Sequence, residues 1–240
     1  MFYMDPGFML VSLIGMGLAF IPQMWLKNTY SKYSEQMSAR GYTGAQVAEA
    51  ILRDNQLHNI PVELTPGELS DHYDPMKKAV RLSEGNFNSR SIAGIAVAAH
   101  EVGHAIQHAK GYQPVVWRSA LLPAVNIGSN LGPILLMIAL GIGFTSKIVP
   151  DWAYMLAWGG LLLFSTSLLF QVVTLPVEID ASRRALAILS NGHYLTVNEV
   201  PAAKKVLTAA AMTYVAAALY SLIQVLYYAM RIMGLRRSEN

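Results

Sequence analysis

The sequence predicts a mainly α integral membrane protein, with about four transmembrane helices and a small α+β domain between the first two. Three observations predict this class. Hydrophobic residues fill 53% of the 240 positions and charged residues only 14%, with a mean hydropathy of +0.34, outside the range of ordinary soluble domains. The apolar residues gather into runs long enough to cross a bilayer. Between the first and second runs, from Lys27 to Arg118, the composition becomes that of a small soluble domain.

Gly7 to Leu26 is apolar apart from Ser12 and Gln23. It has no basic region before it and no Ala-x-Ala cleavage site, which predicts a retained anchor, not a signal peptide. Thr43 opens a helix to about Leu57, with Val47, Ala50, Ile51 and Leu57 roughly on one face. Ile60 to Leu64 and Ala79 to Ser83 read as short strands, with turns at Pro66-Gly67 and Asp74-Pro75 between them. Ser89 or Ser91 caps the next helix, which ends at Lys110-Gly111.

Leu121 to Val149 is the second apolar run. Its first half carries Pro123, Asn126, Ser129, Asn130 and Pro133, so that half is expected to face protein or a wet cavity and Ile134 to Phe144 to face lipid. Lys147, Pro150 and Asp151 make the turn. Trp152 to Val173 is the third span, with Trp152, Tyr154 and Trp158 near one interface. Pro176 to Ser190 reads as a separate amphipathic helix ended by Asn191-Gly192, and Pro201 to Met233 as a long helix holding the fourth span, roughly Ala209 to Met230. The expected organisation is an anchor at 1–26, a catalytic domain at 27–118, two membrane helices at 119–175, a helix and connection at 176–206, and a last span with a basic tail at 207–240.

The chemistry is written in Val97-Ala-Ala-His100-Glu101-Val-Gly-His104-Ala-Ile106. On a helix, residues i and i+4 share a face, so both imidazoles can reach one metal ion, with Glu101 one step round to serve as a base. Two imidazoles, an open position and a carboxylate are what zinc hydrolysis of an amide requires. The flanking residues Val97, Ala98, Ala99, Val102, Gly103, Ala105 and Ile106 are all uncharged, and a Glu buried in such a run is rare without a partner. The pattern predicts a zincin-like fold for the small domain. Cysteine is absent, so the metal sits on His, Asp or Glu, and no disulfide framework exists.

Zinc needs a third protein group. His108 continues the helix face but lies about 6 Å beyond His104 along the axis, at 1.5 Å per residue. Glu178 and Asp180 follow the third span directly. Two residues apart on a helix, they point about 200° from each other, so only one can face the metal. Glu178 has the longer reach and is the expected ligand. Asp180 then holds a ligand in place or pairs with Arg183 or Arg184.

At this point the chain resembles the YugP-type membrane neutral zinc metallopeptidases and, more distantly, the HtpX and CAAX-prenyl zinc endopeptidases. The resemblance covers essentially the whole length. Its strings are Asp71-His-Tyr-Asp-Pro75, Val80-Arg-Leu-Ser83, the helix motif through His108, Tyr112-x-Pro114, Pro176-Val-Glu-x-Asp-Ala-Ser-Arg-Arg184 and Thr213-Tyr214-Val-Ala-Ala-Ala218. It implies His100, His104 and Glu178 as ligands and Glu101 as base, an arrangement of gluzincin type. One departure stands out: the related peptidases place an Asp four residues after the ligand Glu, where this chain has Ser182.

The expected activity is a zinc-dependent endopeptidase acting on membrane or membrane-associated proteins by Glu-assisted attack of a zinc-bound water. Tyr214, His193 and Arg183 are candidate donors to the oxyanion, with Tyr214 favoured by its place in the family-like string. Substrate is expected to add as a strand beside Ala79 to Ser83. The alternatives are a zinc-binding membrane scaffold or assembly factor without catalysis, and a hydrolase of a lipid-linked amide. The net charge of +3 and pI near 9.0 do not signal nucleic acid, because Lys and Arg are scattered or flank apolar runs. Four spans put Glu178 and the motif helix on one side of the plasma membrane and Lys147 with both termini on the other. Basic residues near the span ends are more numerous on the site side, including Lys27, Lys32, Lys110, Arg118, Lys204 and Lys205, which predicts a cytoplasmic site. Nothing in the sequence sets an oligomeric state.

Overall fold

The computed structural model describes residues 5–145 and 149–237; Lys147 lies outside the described residues. Seven helices and three strands follow in the order α1 Pro6–Ser34, α2 Gly44–Asp54, β1 Val62–Thr65, β2 His72–Asp74, β3 Ala79–Ser83, α3 Glu84–Phe87, α4 Ile92–Ala109, α5 Gln113–Thr145, α6 Asp151–Asn191 and α7 Val200–Arg237. Four of them, α1, α5, α6 and α7, are long and apolar enough to cross a membrane. The chain is a mainly α membrane protein with a small α+β domain. It divides into two compact units: Met1–Phe20 with Trp117–Thr174 and Val215–Asn240, and Ile21–Val116 with Leu175–Tyr214.

In the first unit, small residues let helices approach closely. A Cβ on Gly128 would lie 2.2 Å from the Leu163 carbonyl oxygen, and one on Gly160 2.9 Å from the Leu135 Cβ. Glycine at such contacts replaces the hydrophobic driving force that lipid does not supply between helices. Leu136, Ala139, Ala157, Leu161 and Ile232 form the buried cluster. In the second half of α5, Ile134, Met137 and Ile138 are exposed on one face. Asn126, Ser129 and Asn130 are exposed, while Leu136 and Ala139 in the second half are buried. Asn130 turns its amide onto the Asn126 carbonyl of its own helix at 2.6 Å, so that polar group needs no protein partner elsewhere.

The second unit carries the motif helix. Thr43 caps α2 through a capping box: its hydroxyl accepts from Gln46 N at 3.2 Å, and its own amide donates to Gln46 Oε1 at 2.9 Å. Val47, Ala48, Ile51 and Leu52 are buried and join the core around α4. Ser91 caps α4, accepting from Gly94 N at 3.1 Å, and Gly111, at φ +60°, follows its end. The chain leaving α1 is pinned to this cap, since Gln36 O accepts from Ile92 N and Ser38 N donates to Arg90 O, both at 2.9 Å.

The sheet order is β1-β3-β2, with β1 parallel and β2 antiparallel to β3. Ala79, Val80, Leu82 and Ser83 are all buried, as a strand covered on both faces requires. Because β3 is central, with β1 along Val80–Ser83 and β2 along Ala79–Arg81, an added substrate strand cannot lie beside it over the paired residues, contrary to the sequence expectation. β2 itself was not expected, because Asp74-Pro75 reads as a turn and the strand exists through its pairing with Ala79–Arg81.

A second correction concerns α6. The third span and the predicted helix from Pro176 are one continuous helix with Pro176 inside it. Proline forgoes a single i→i−4 bond. Immediately after it, Val177, Ala181, Ala185 and Leu189, each four residues apart, are all fully buried. That stripe rewards continuation of the helix over a turn.

Candidate metal centre

Two helices of the second unit build the site. α4 stacks His100 and His104 one turn apart on one face, with ring centroids 4.7 Å apart and planes at 85°. Their Nε2 atoms lie 3.1 Å from each other. Glu178 of α6 closes the group, its Oε2 standing 3.3 Å from His100 Nε2 and 3.5 Å from His104 Nε2. All three side chains are largely buried, Glu178 most of all with 3% of its side chain exposed. Among the described residues, these three form the group of His and carboxylate donors able to hold a metal ion.

The approach of α6 to α4 depends on Gly103. A Cβ there would lie 2.8 Å from the Ala181 carbonyl oxygen and 3.2 Å from the Ala181 Cα, so only glycine fits. Ala181 sits three residues after Glu178 and therefore on the same helix face. The glycine inside the metal motif is what lets the carboxylate reach the imidazoles.

The three donors fit zinc. Bonds of about 2.0–2.1 Å in tetrahedral geometry put ligand atoms about 3.3–3.4 Å apart, and the observed edges are 3.1, 3.3 and 3.5 Å. Two imidazole nitrogens facing each other at the shortest of these distances repel unless one carries a proton or a cation lies between them. The field of the site also favours a cation. Burial works against a charge on His104, but its hydrogen bond to Glu178 and the nearby Glu101 and Glu178 carboxylates outweigh that and raise its pKa.

Each imidazole is held from behind. His100 Nδ1 is 3.2 Å from Ser182 Oγ, and His104 Nδ1 is 3.0 Å from Gln107 Oε1. Gln107, fully buried, donates through Nε2 to Val177 O and to Asp180 Oδ2, both at 2.8 Å. Arg184 Nε donates to the same Asp180 oxygen at 2.6 Å.

Over residues 8–233 the chain matches the family described as "Putative neutral zinc metallopeptidase". The chain belongs to this family. It is 41% identical over 233 residues to the "Putative membrane protease YugP" of Bacillus subtilis (strain 168), a span of 97% of this chain and 99% of that protein. No solved structure matches it. The protein is thus a zinc metallopeptidase, a membrane hydrolase whose cofactor is zinc.

Within this zinc metallopeptidase, the sequence-predicted residues fall into distinct places. His100, His104 and Glu178 converge. Glu101 is 8% exposed, and its charge is felt at His104. His108 stands apart from the donor group, its ring 5.9 Å from that of Tyr73. Asp180 faces Gln107 and Arg184. Arg183 is exposed, and Tyr214 is half-buried on α7 in the same unit as His100, His104 and Glu178. His193 is exposed at φ +58° in the turn that follows α6. Sequence reasoning missed Gln107 and the fit of Gly103. A signal for Gln107 existed: it lies three residues after His104, the spacing at which helix side chains meet.

Proposed function

We propose that this peptidase is an endopeptidase of membrane or membrane-associated proteins, with His100, His104 and Glu178 as its zinc ligands and Glu101 as its base. The observation that carries the reading is the triangle of Nε2, Nε2 and Oε2 atoms, whose edges match those of a tetrahedral zinc site. Zinc held there supplies Lewis acidity to the reacting centre. Glu101, buried beside the ligands, takes the proton of the attacking water on its carboxylate and returns it to the leaving amine. The charge developing on the carbonyl oxygen needs a donor from the chain, a role assigned to Tyr214 on α7. The site faces the cytoplasm at the plasma membrane, as supported by the excess of Lys and Arg near the span ends on that side.

The test is Glu101→Gln in detergent-purified protein. The variant retains one zinc per chain and loses peptide cleavage by at least about 100-fold, the lower end of what a positioned base contributes. A fully active Glu101→Gln protein removes Glu101 from the mechanism.

A further inference from the structure

We propose that Gln107 is a positioning residue of the metal centre: a single amide that fixes which nitrogen of His104 carries the proton and, through its other end, locks the helix that delivers Glu178. This rests on the reading of His100, His104 and Glu178 as the ligands.

The polarity of the amide follows from its partners. A backbone carbonyl and a carboxylate only accept, and Gln107 Nε2 meets one of each, Val177 O and Asp180 Oδ2, at 2.8 Å. Turning the amide over would set its oxygen against two oxygens inside the protein, where Gln107 has no exposure to water. Arg184 holds the Asp180 carboxylate in place from the other side at 2.6 Å. Oε1 is therefore the atom that faces His104 Nδ1 at 3.0 Å. An acceptor in that position demands N–H on Nδ1 and leaves the lone pair on Nε2, the atom directed at His100 and Glu178. Ser182 cannot dictate the same for His100, since a hydroxyl both donates and accepts.

The same amide fixes the register of α6. Val177 and Asp180 flank Glu178 within one turn, so two hydrogen bonds from one side chain set both the height and the rotation of the ligand helix against α4. Asp180 acts on the metal through Gln107, not as a ligand.

The test uses the full chain in detergent micelles, read by zinc affinity in competition with a chromophoric chelator and by the visible absorption of the cobalt-loaded protein at saturation. Gln107→Leu lowers zinc affinity by about 10–100-fold, the usual cost of losing a group that orients a ligand, and alters the cobalt spectrum. Asp180→Ala, which removes one acceptor of Gln107 Nε2, lowers the affinity in the same direction, and Asp180→Asn, whose Oδ1 can still accept that bond, recovers most of it. Wild-type affinity and an unchanged cobalt spectrum in Gln107→Leu overturn the proposal. So does a loss in Asp180→Ala that Asp180→Asn fails to recover. If Gln107→Leu does not fold, the Asp180 pair decides alone, with affinity lost in Asp180→Ala and recovered in Asp180→Asn supporting the proposal and affinity unchanged in Asp180→Ala overturning it. His104→Ala and Glu178→Ala measured in parallel separate the two readings: zinc bound unchanged in both variants refutes the ligand assignment itself.

Discussion

Gly103→Ala sets two effects of known size against each other. In a helix interior, alanine is favoured over glycine by about 1 kcal/mol, so α4 considered alone gains stability. Against this, the new methyl would stand 2.8 Å from the Ala181 carbonyl oxygen, with the Ala181 Cα and C at 3.2 and 3.3 Å. All three are backbone atoms, so no rotamer change relieves the clash. Opening the contact to an ordinary 3.4 Å moves α4 and α6 apart by about 0.6 Å, and overpacking of this kind costs about 1–3 kcal/mol. The net expectation for the metal-free protein is between no change and a loss of about 2 kcal/mol. The metal site is hit harder, because Glu178 lies one turn from the clash and ligand distances tolerate only about ±0.2 Å. Zinc competition against a chelator, with unfolding of the metal-free protein measured alongside, reads both quantities. Zinc affinity falls at least about tenfold while the metal-free protein stays folded. A Gly103→Ala protein that is more stable and binds zinc as tightly as the wild type would show that the helices are not held together at this contact.

Ser182→Ala removes the partner 3.2 Å from His100 Nδ1 and lowers zinc affinity by about tenfold, whereas Ser182→Asp, whose carboxylate accepts only and so favours a proton on Nδ1, raises it; equal affinities in all three proteins would leave Ser182 without a role. Glu199 ties two loops of the site unit together. Burial would raise its pKa, but hydrogen bonds from the Ala39 and Thr196 amides and the Thr196 hydroxyl outweigh this and lower it below 4.5. The stabilisation is therefore complete above pH 4.5 and fades as the pH falls through the folded-state value. Glu199→Gln is less stable than the wild type at pH 7, and the gap narrows on acidification; a gap independent of pH contradicts the assignment. With the site on the cytoplasmic side, a tag at the C-terminus is cut by protease added to intact cells, and a protected tag inverts the orientation.

What the sequence disclosed and what it withheld divide along the range of the interaction. The pairing of His100 and His104 was legible because the helical repeat alone puts them on one face, and the caps Thr43 and Ser91 because a side chain three residues from an amide closes a local ring. Ala79–Ser83 was legible as a strand from its own apolar run. β2 was not, since its three residues are extended only through their register with β3. The continuity of α6 through Pro176 was hidden in the same way: a local rule predicts a break, and burial of the stripe from Val177 to Leu189 overrides it.

The metal centre repeats that division in a single helical turn. His104 declares itself by its spacing from His100. Gly103 beside it and Gln107 one turn on also face α6, yet their partners, Ala181 for one and Val177 and Asp180 for the other, lie 70 or more residues away in sequence. A helix pattern states which face the ligands occupy. It does not state how close the opposing helix comes or which tautomer its carbonyls and carboxylates enforce. Both of those depend on α6, so Glu178, the glycine and the amide act through one helix contact. Substitutions at Gly103 and Gln107 should accordingly fail to add in their effect on zinc affinity, because each acts by shifting the same helix relative to the same pair of imidazoles.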